Sequence, residues 1–218
     1  MTKKEMIQLA DQIKSELNNA NLFQMNVWNI VRKKRIYTEN NSVLREEEAV
    51  LDFIIENSLN KKLSITEEFI QKIHDKLSVN KNSKFAGQYR HTQALHTKNK
   101  KITPEPMDLP HFMGHFIGQI STSITFFHPI EFAAYVYKRI FDIQPFDKGN
   151  DLVADFLISS ILISEGYGII IIQPHKDTRF LKALELAQNY ERPDMDLIIQ
   201  IVAESVVKEE SMFRELVD

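Results

Sequence analysis

Apolar residues recur at helical spacing along nearly the whole chain. Met6, Leu9, Ile13 and Leu17 mark a first helix, and the pattern resumes from Leu22 to Val31 after Asn18-Asn19, so residues 3–33 read as helical. Val50, Leu51, Ile54 and Ile55 form the buried stripe of a helix over 43–57. Thr66, followed by Glu67 and Glu68, caps another that runs to Leu77. Leu109-Pro110 opens a helix through Ser123. Two strongly apolar runs follow, Pro129 to Ile143 and Asn150 to Ser164, and the second is apolar almost all round, as in a helix buried on every side. Gly166 stops it. Ile169 to Ile172 is a short extended run closed by Gln173-Pro174. Arg179 to Tyr190 and Met195 to Leu216 are the last two amphipathic helices. The fold class is therefore all-α.

Between the two central runs lies Gln144-Pro145-Phe146-Asp147-Lys148-Gly149-Asn150-Asp151-Leu152. Proline stiffens the approach, Phe146 is placed to plug into the core, and Gly149 allows a backbone that a Cβ would block. A polar loop feeding a helix start exposes backbone N–H groups at the positive end of the helix dipole, which suits an anion. The same residues also suit an ordinary helix–loop–helix corner.

The loop resembles the signature of the Fic (Fido) family, His-Pro-Phe-x-Asp/Glu-Gly-Asn-Gly-Arg-x-x-Arg. Pro145, Phe146, Gly149 and Asn150 match. Gln144 stands for the histidine, Lys148 for the magnesium-binding carboxylate, Asp151 for the second glycine, and Leu152 and Asp155 for the two arginines. Other segments extend the resemblance. His128-Pro129-Ile130-Glu131-Phe132-Ala133-Ala134 is similar to the family's helix lead-in, which makes His128 structural. Gly87-Gln88-Tyr89-Arg90 is similar to the stretch before the family's flap, a β-hairpin that holds target segments by strand addition. His91, Gln93, Leu95 and Ile102 are its candidate target-binding residues; a surface loop is the other reading. Glu39-Asn40 matches the end of an N-terminal inhibitory motif, although Arg35 stands where that motif has Ser or Thr. Equally, Glu39 to Ser42 reads as a loop with Ser42 as a helix cap. The resemblance implies three parts: an N-terminal helical segment over 1–38, a core over 39–190 with a buried helix pair flanking the loop, and a C-terminal helix over 191–218 packed on the core.

Fic enzymes move AMP from ATP, with magnesium, onto hydroxyls of target proteins. Gln144 cannot act as general base near neutral pH, a loss of about 10²–10⁴-fold. Lys148 cannot bind a cation but can meet a phosphate as a point charge. Leu152 has no donor, and each missing donor costs about 3 kcal/mol of transition-state stabilisation. Asp155 would repel a phosphate, and it could not form the ion pair that the family's inhibitory glutamate makes with the second arginine. The resemblance thus implies a protein that binds a protein target, another Fic-type protein or a second copy of itself in a homo-oligomer, with transfer impaired or lost. Two alternatives stay open: an altered transferase with Lys148 in the metal's place and His91 or His96 as base, and a nucleotide-binding regulator.

Composition narrows the setting. A length of 218 residues, 43% of them hydrophobic, allows one domain with a real core. A net charge of -3 argues against bulk nucleic-acid attraction despite Arg32-Lys33-Lys34-Arg35 and Lys98 to Lys101. The absence of cysteine excludes disulfides and thiolate metal sites. His111 and His115 share a helix face, but nothing beside them completes a metal site, and no metal is expected. There is no apolar run of about 18 residues and no secretory h-region, which points to cytoplasm or to an effector exported by a specialised system. His74 reads as a structural histidine.

Overall fold

The computed structural model describes residues 1–19, 47–59, 63–77, 83–94, 103–123, 126–172, 178–189 and 191–217. Its helices are α1 (Lys3–Asn19), α2 (Glu48–Leu59), α3 (Glu67–Lys76), α4 (Leu109–Ser123), α5 (Pro129–Ile143), α6 (Asn150–Ser164), α7 (Thr178–Ala187) and α8 (Asp196–Val217), with a 3-10 turn at Pro106–Asp108 before α4.

α6 is the axis of the core. Every residue from Val153 to Ile163 is buried, so the helix that is apolar all round in sequence is covered all round in space. α5 packs along one side of it, and α2 and α3 along others. α1 packs against α8, which in turn lies against α5 and α7. The helix ends are where their residues put them. Thr66 Oγ1 accepts from the Phe69 N–H at 3.1 Å and caps α3. Pro129 opens α5, where a missing N–H costs nothing. Gly166, with φ +83°, ends α6; its N–H donates to the Ile163 carbonyl and that of Tyr167 to the Leu162 carbonyl.

Two polar side chains on α6 organise the run that follows. Ser159 Oγ donates to the Ile170 carbonyl at 2.8 Å and accepts from the Ile170 N–H at 3.1 Å. One turn earlier, Asp155 Oδ1 accepts from the Ile172 N–H at 3.0 Å. Residues four apart share a helix face, so α6 offers residues 169–172 a partner edge that no strand supplies. Ser159 and Asp155 both lie buried.

No strand forms among the described residues; most of the segment expected to form the β-hairpin flap, 95–102, lies outside them, and the chain before it makes turns over 83–92. The Thr92 and Pro104 carbonyls, on either side of that segment, accept from the Arg90 guanidinium. Leu95 and Ile102 lie outside the described residues, as do Glu39, Asn40 and His96. Among the described residues no helix is long and apolar enough to cross a membrane.

Candidate functional site

Gln144 closes α5 in the left-handed conformation, φ 46° and ψ 64°, and is the one non-glycine residue with positive φ among the described residues. Its N–H still reaches the Ile140 carbonyl at 2.8 Å. A left-handed residue with a side chain is costly and persists only where its surroundings hold it.

Arg90 does the holding. It is 2% exposed, and its guanidinium is spent on backbone carbonyls. Nε donates to Gln144 at 2.7 Å, Nη1 to Thr92 at 3.0 Å, and Nη2 to Pro104 at 2.6 Å. The Arg90 N–H donates to the Pro145 carbonyl at 2.9 Å. Burial pulls its pKa down, while the Asp147 and Glu105 carboxylates oppose the shift.

The next residue is anchored from two sides. The Phe146 ring is buried and stacked on His74, with centroids 3.8 Å apart. Asn150 clamps its backbone: Oδ1 accepts from the Phe146 N–H at 3.0 Å and Nδ2 donates to the Phe146 carbonyl at 2.7 Å. Both side chains are used in building the loop. Gly149, φ +74°, is the N-cap of α6. The first-turn N–H groups there have no intrahelical acceptor, as at any helix start.

His74 belongs to this foundation. The Gly87 N–H donates to its Nδ1 at 3.0 Å, which places the ring proton on Nε2. Burial pushes its pKa down to about 4, against a backbone hydrogen bond to Lys148 and the nearby carboxylates of Asp75 and Asp147. Gly87 has φ +71°, and a Cβ there would sit 3.2 Å from the Gln71 carbonyl oxygen. The Gly87 to Arg90 stretch is thus the underside of the loop, linking α3 to Gln144.

Around the loop mouth, Asp147 and Lys148 are exposed and Gln144, Asp151 and Leu152 half-buried. Thr92 Oγ1 donates to Asp147 Oδ1 at 3.0 Å, and Gln93 Nε2 donates to the Thr103 carbonyl at 3.2 Å. The exposed His91 ring packs edge-on against Phe85, with centroids 5.8 Å apart. Leu152 packs against the core. Asp155 departs from expectation. It is 1% exposed and bonded to Ile172, so its carboxylate is part of the core and not of the mouth. Beside the base of the loop a cavity of about 610 Å³ is lined by Thr103, Phe112, Lys138, Asp142, Gln188 and Asn189, among others. Asp142 binds Lys138 at 2.6 Å, Arg139 at 3.3 Å and Gln188 at 2.8 Å. No cluster of three or more potential metal ligands occurs among the described residues. His128 is structural: its Nδ1 accepts from the Ile130 N–H at 3.3 Å and caps α5.

Sequence reasoning had no role for Arg90 or Asp147 at the loop. The signal for Arg90 was its place at the end of Gly87-Gln88-Tyr89-Arg90, beside an otherwise polar segment.

Comparison with known proteins agrees with this geometry. A sequence model of the Fic/DOC family matches residues 64–162, which include the loop. Protein adenylyltransferase Fic of Nematostella vectensis is 34% identical over 136 residues, 62% of this chain and 31% of that protein. The chain therefore spans about a third of the length of such curated relatives. Caenorhabditis elegans Fic-1 superposes with a TM-score of 0.72 at 16% identity, covering 99% of this chain and 72% of that one. IbpAFic2, in a complex with adenylylated Cdc42, superposes at 0.54 and 15% identity, covering 94% and 63%. At such identities the structures speak for the fold alone, and with the matched sequence model they give one conclusion: the chain has the fold of Fic domains, and its residues 64–162 are similar to the Fic/DOC family.

Proposed function

We propose that this protein keeps the Fic loop as a binding platform for a protein partner and no longer transfers AMP. The carrying observation is the fate of the substituted positions. Leu152 packs on the core and Asp155 is consumed by the Ile172 N–H. The mouth is left with Asp147 and Asp151 against Lys148. Two carboxylates and one ammonium oppose a triphosphate, where the family's signature supplies two guanidinium groups and a metal site. Gln144 supplies no base. The framework, by contrast, is complete: Arg90, Asn150, Phe146 and His74 hold the loop in one conformation. A protein target is the chemistry that the relatives' name, protein adenylyltransferase, describes for them, and adenylylated Cdc42 is such a protein bound to IbpAFic2.

The test is calorimetric titration with ATP, ADP and AMP, with and without magnesium. It uses the wild type and a variant carrying Gln144→His, Lys148→Glu and Leu152→Arg. Asp155 is left in place, since an arginine there would enter the core. No heat from the wild type, and no transfer of radiolabelled AMP to any protein of a cell extract, is the expected result. Magnesium-dependent ATP binding with labelled protein from the wild type overturns the proposal.

A second reading, a nucleotide- or anion-responsive regulator, is favoured by one observation: Lys148 is exposed at the positive end of α6. Magnesium-independent binding of ADP that is lost in Lys148→Ala would select it.

A further inference from the structure

At the end of the helix pair away from the loop, ionisable groups from four elements meet. From α1, Asp11 Oδ1 accepts from the Tyr167 hydroxyl, and Oδ2 pairs with His128 Nε2 at 3.2 Å. Because His128 Nδ1 accepts from the Ile130 N–H, its proton sits on Nε2 and donates to Asp11. One turn along α1, the Lys14 ammonium lies 4.1 Å from the centre of the Tyr167 ring and 3.5 Å from the Glu165 carbonyl oxygen. Glu210 comes from α8, the helix that packs on α1. It is 2% exposed, and neither of its carboxyl oxygens has a hydrogen-bond partner among the described residues.

A carboxylate buried without a donor is strongly disfavoured. The groups facing it do not remove the penalty. Among the described residues Lys14 is the cation within range, and it is engaged with Tyr167 and Glu165. Asp11 brings a second negative charge, and Tyr167 spends its proton on Asp11. We propose that Glu210 is a proton-operated latch on α1: the docked helix requires the protonated carboxyl, and loss of that proton loosens α1 from α8. This goes beyond the proposed function and does not rest on it.

The direction of the response follows from burial. Burial is the main cause that raises the Glu210 pKa to about 8 from an ordinary 4.5, with Lys14 lowering it and Asp11 raising it further. Docked α1 therefore keeps a proton that the undocked carboxyl gives up. Docking is strongest below pH 4.5, weakens as pH rises from there to about 8, and is level above that.

The experiment is hydrogen exchange of the α1 amides in the full chain, referenced to α6 amides and corrected for the intrinsic pH dependence of exchange. In the wild type the α1 opening equilibrium should rise about tenfold or more between roughly pH 5.5 and 7.5. In Glu210→Gln, which carries no charge at either pH, that rise should vanish. A flat wild type, or an equal rise in Glu210→Gln, which would assign the response to His128 or another group, overturns the proposal. NMR titration of the Glu210 carboxyl in the wild type decides independently of any variant: a midpoint near 8 supports the latch, and one near 4.5 sinks it.

Discussion

The imidazole of His74 lies flat on the phenyl ring of Phe146, with centroids 3.8 Å apart and planes 10° from parallel. The pair joins α3 to the loop across 72 positions of sequence. It converts a turn between two helices into a part of the core. Phe146→Ala should therefore cost about 3–5 kcal/mol, as for a buried aromatic, and not the fraction expected of a loop residue. Urea unfolding measures this, and a loss below about 1 kcal/mol would show that the stack carries no weight.

Acid should reach the loop through the same histidine. The His74 pKa is depressed in the fold, to about 4 from 6.5, chiefly by burial. The unfolded chain thus takes up the proton first. The stability that comes from keeping the ring neutral is fully present above pH 6.5 and drains away as pH falls to about 4. The limit is about 3 kcal/mol, nearer 1–2 after solvent screening. His74→Phe keeps a ring on Phe146 but has nothing to titrate. It should lose stability at neutral pH, with the Gly87 N–H left unpaired, yet show a flatter profile between pH 7 and 4.5. Parallel profiles for wild type and variant would exclude His74 as the cause.

Arg90 is the residue on which the Gln144 backbone depends. Replacing it with methionine leaves the Gln144, Thr92 and Pro104 carbonyls without their donor in a partly buried setting. Hydrogen bonds to a charged group contribute about 1.5–3 kcal/mol each, so a total loss of about 3 kcal/mol or more is expected. Lysine keeps the charge but not the fork, so Arg90→Lys should recover only part of it. If Arg90→Lys melts with the wild type, the fork geometry is not what holds the loop.

How much of this was legible depends on the range of each interaction. The central helices run from Pro129 to Ile143 and from Asn150 to Ser164, as their residues indicate, because Pro129 and Gly149 act on their own neighbourhood. The Thr66 cap and the Gly166 stop are local in the same way. His74 on Phe146 and Arg90 on Gln144 are not: the partners lie 72 and 54 positions apart. No periodicity announces such pairs. Polar character misled at Asp155, where an acid reads as exposed. The available clue was its setting, a lone charge in a helix apolar all round, where a buried polar group must find a partner.

Asp155 gives the sharpest test of whether the altered signature can simply be reversed. Restoring the family's arginine at this position would remove the acceptor of the Ile172 N–H and drive a guanidinium into a site that is 1% exposed. An unpaired buried charge costs about 3–5 kcal/mol, a large part of the stability of a domain this size. Asp155→Arg should therefore melt well below the wild type or fail to fold. Asp155→Asn retains an oxygen for the Ile172 N–H and should lose about 1 kcal/mol or less. Leu152→Arg, at a half-buried position, should be tolerated with a comparably small loss. Thermal melting of the three variants side by side checks the order. If Asp155→Arg proves as stable as Leu152→Arg, the carboxylate is not part of the core, and the second half of the signature is open to repair.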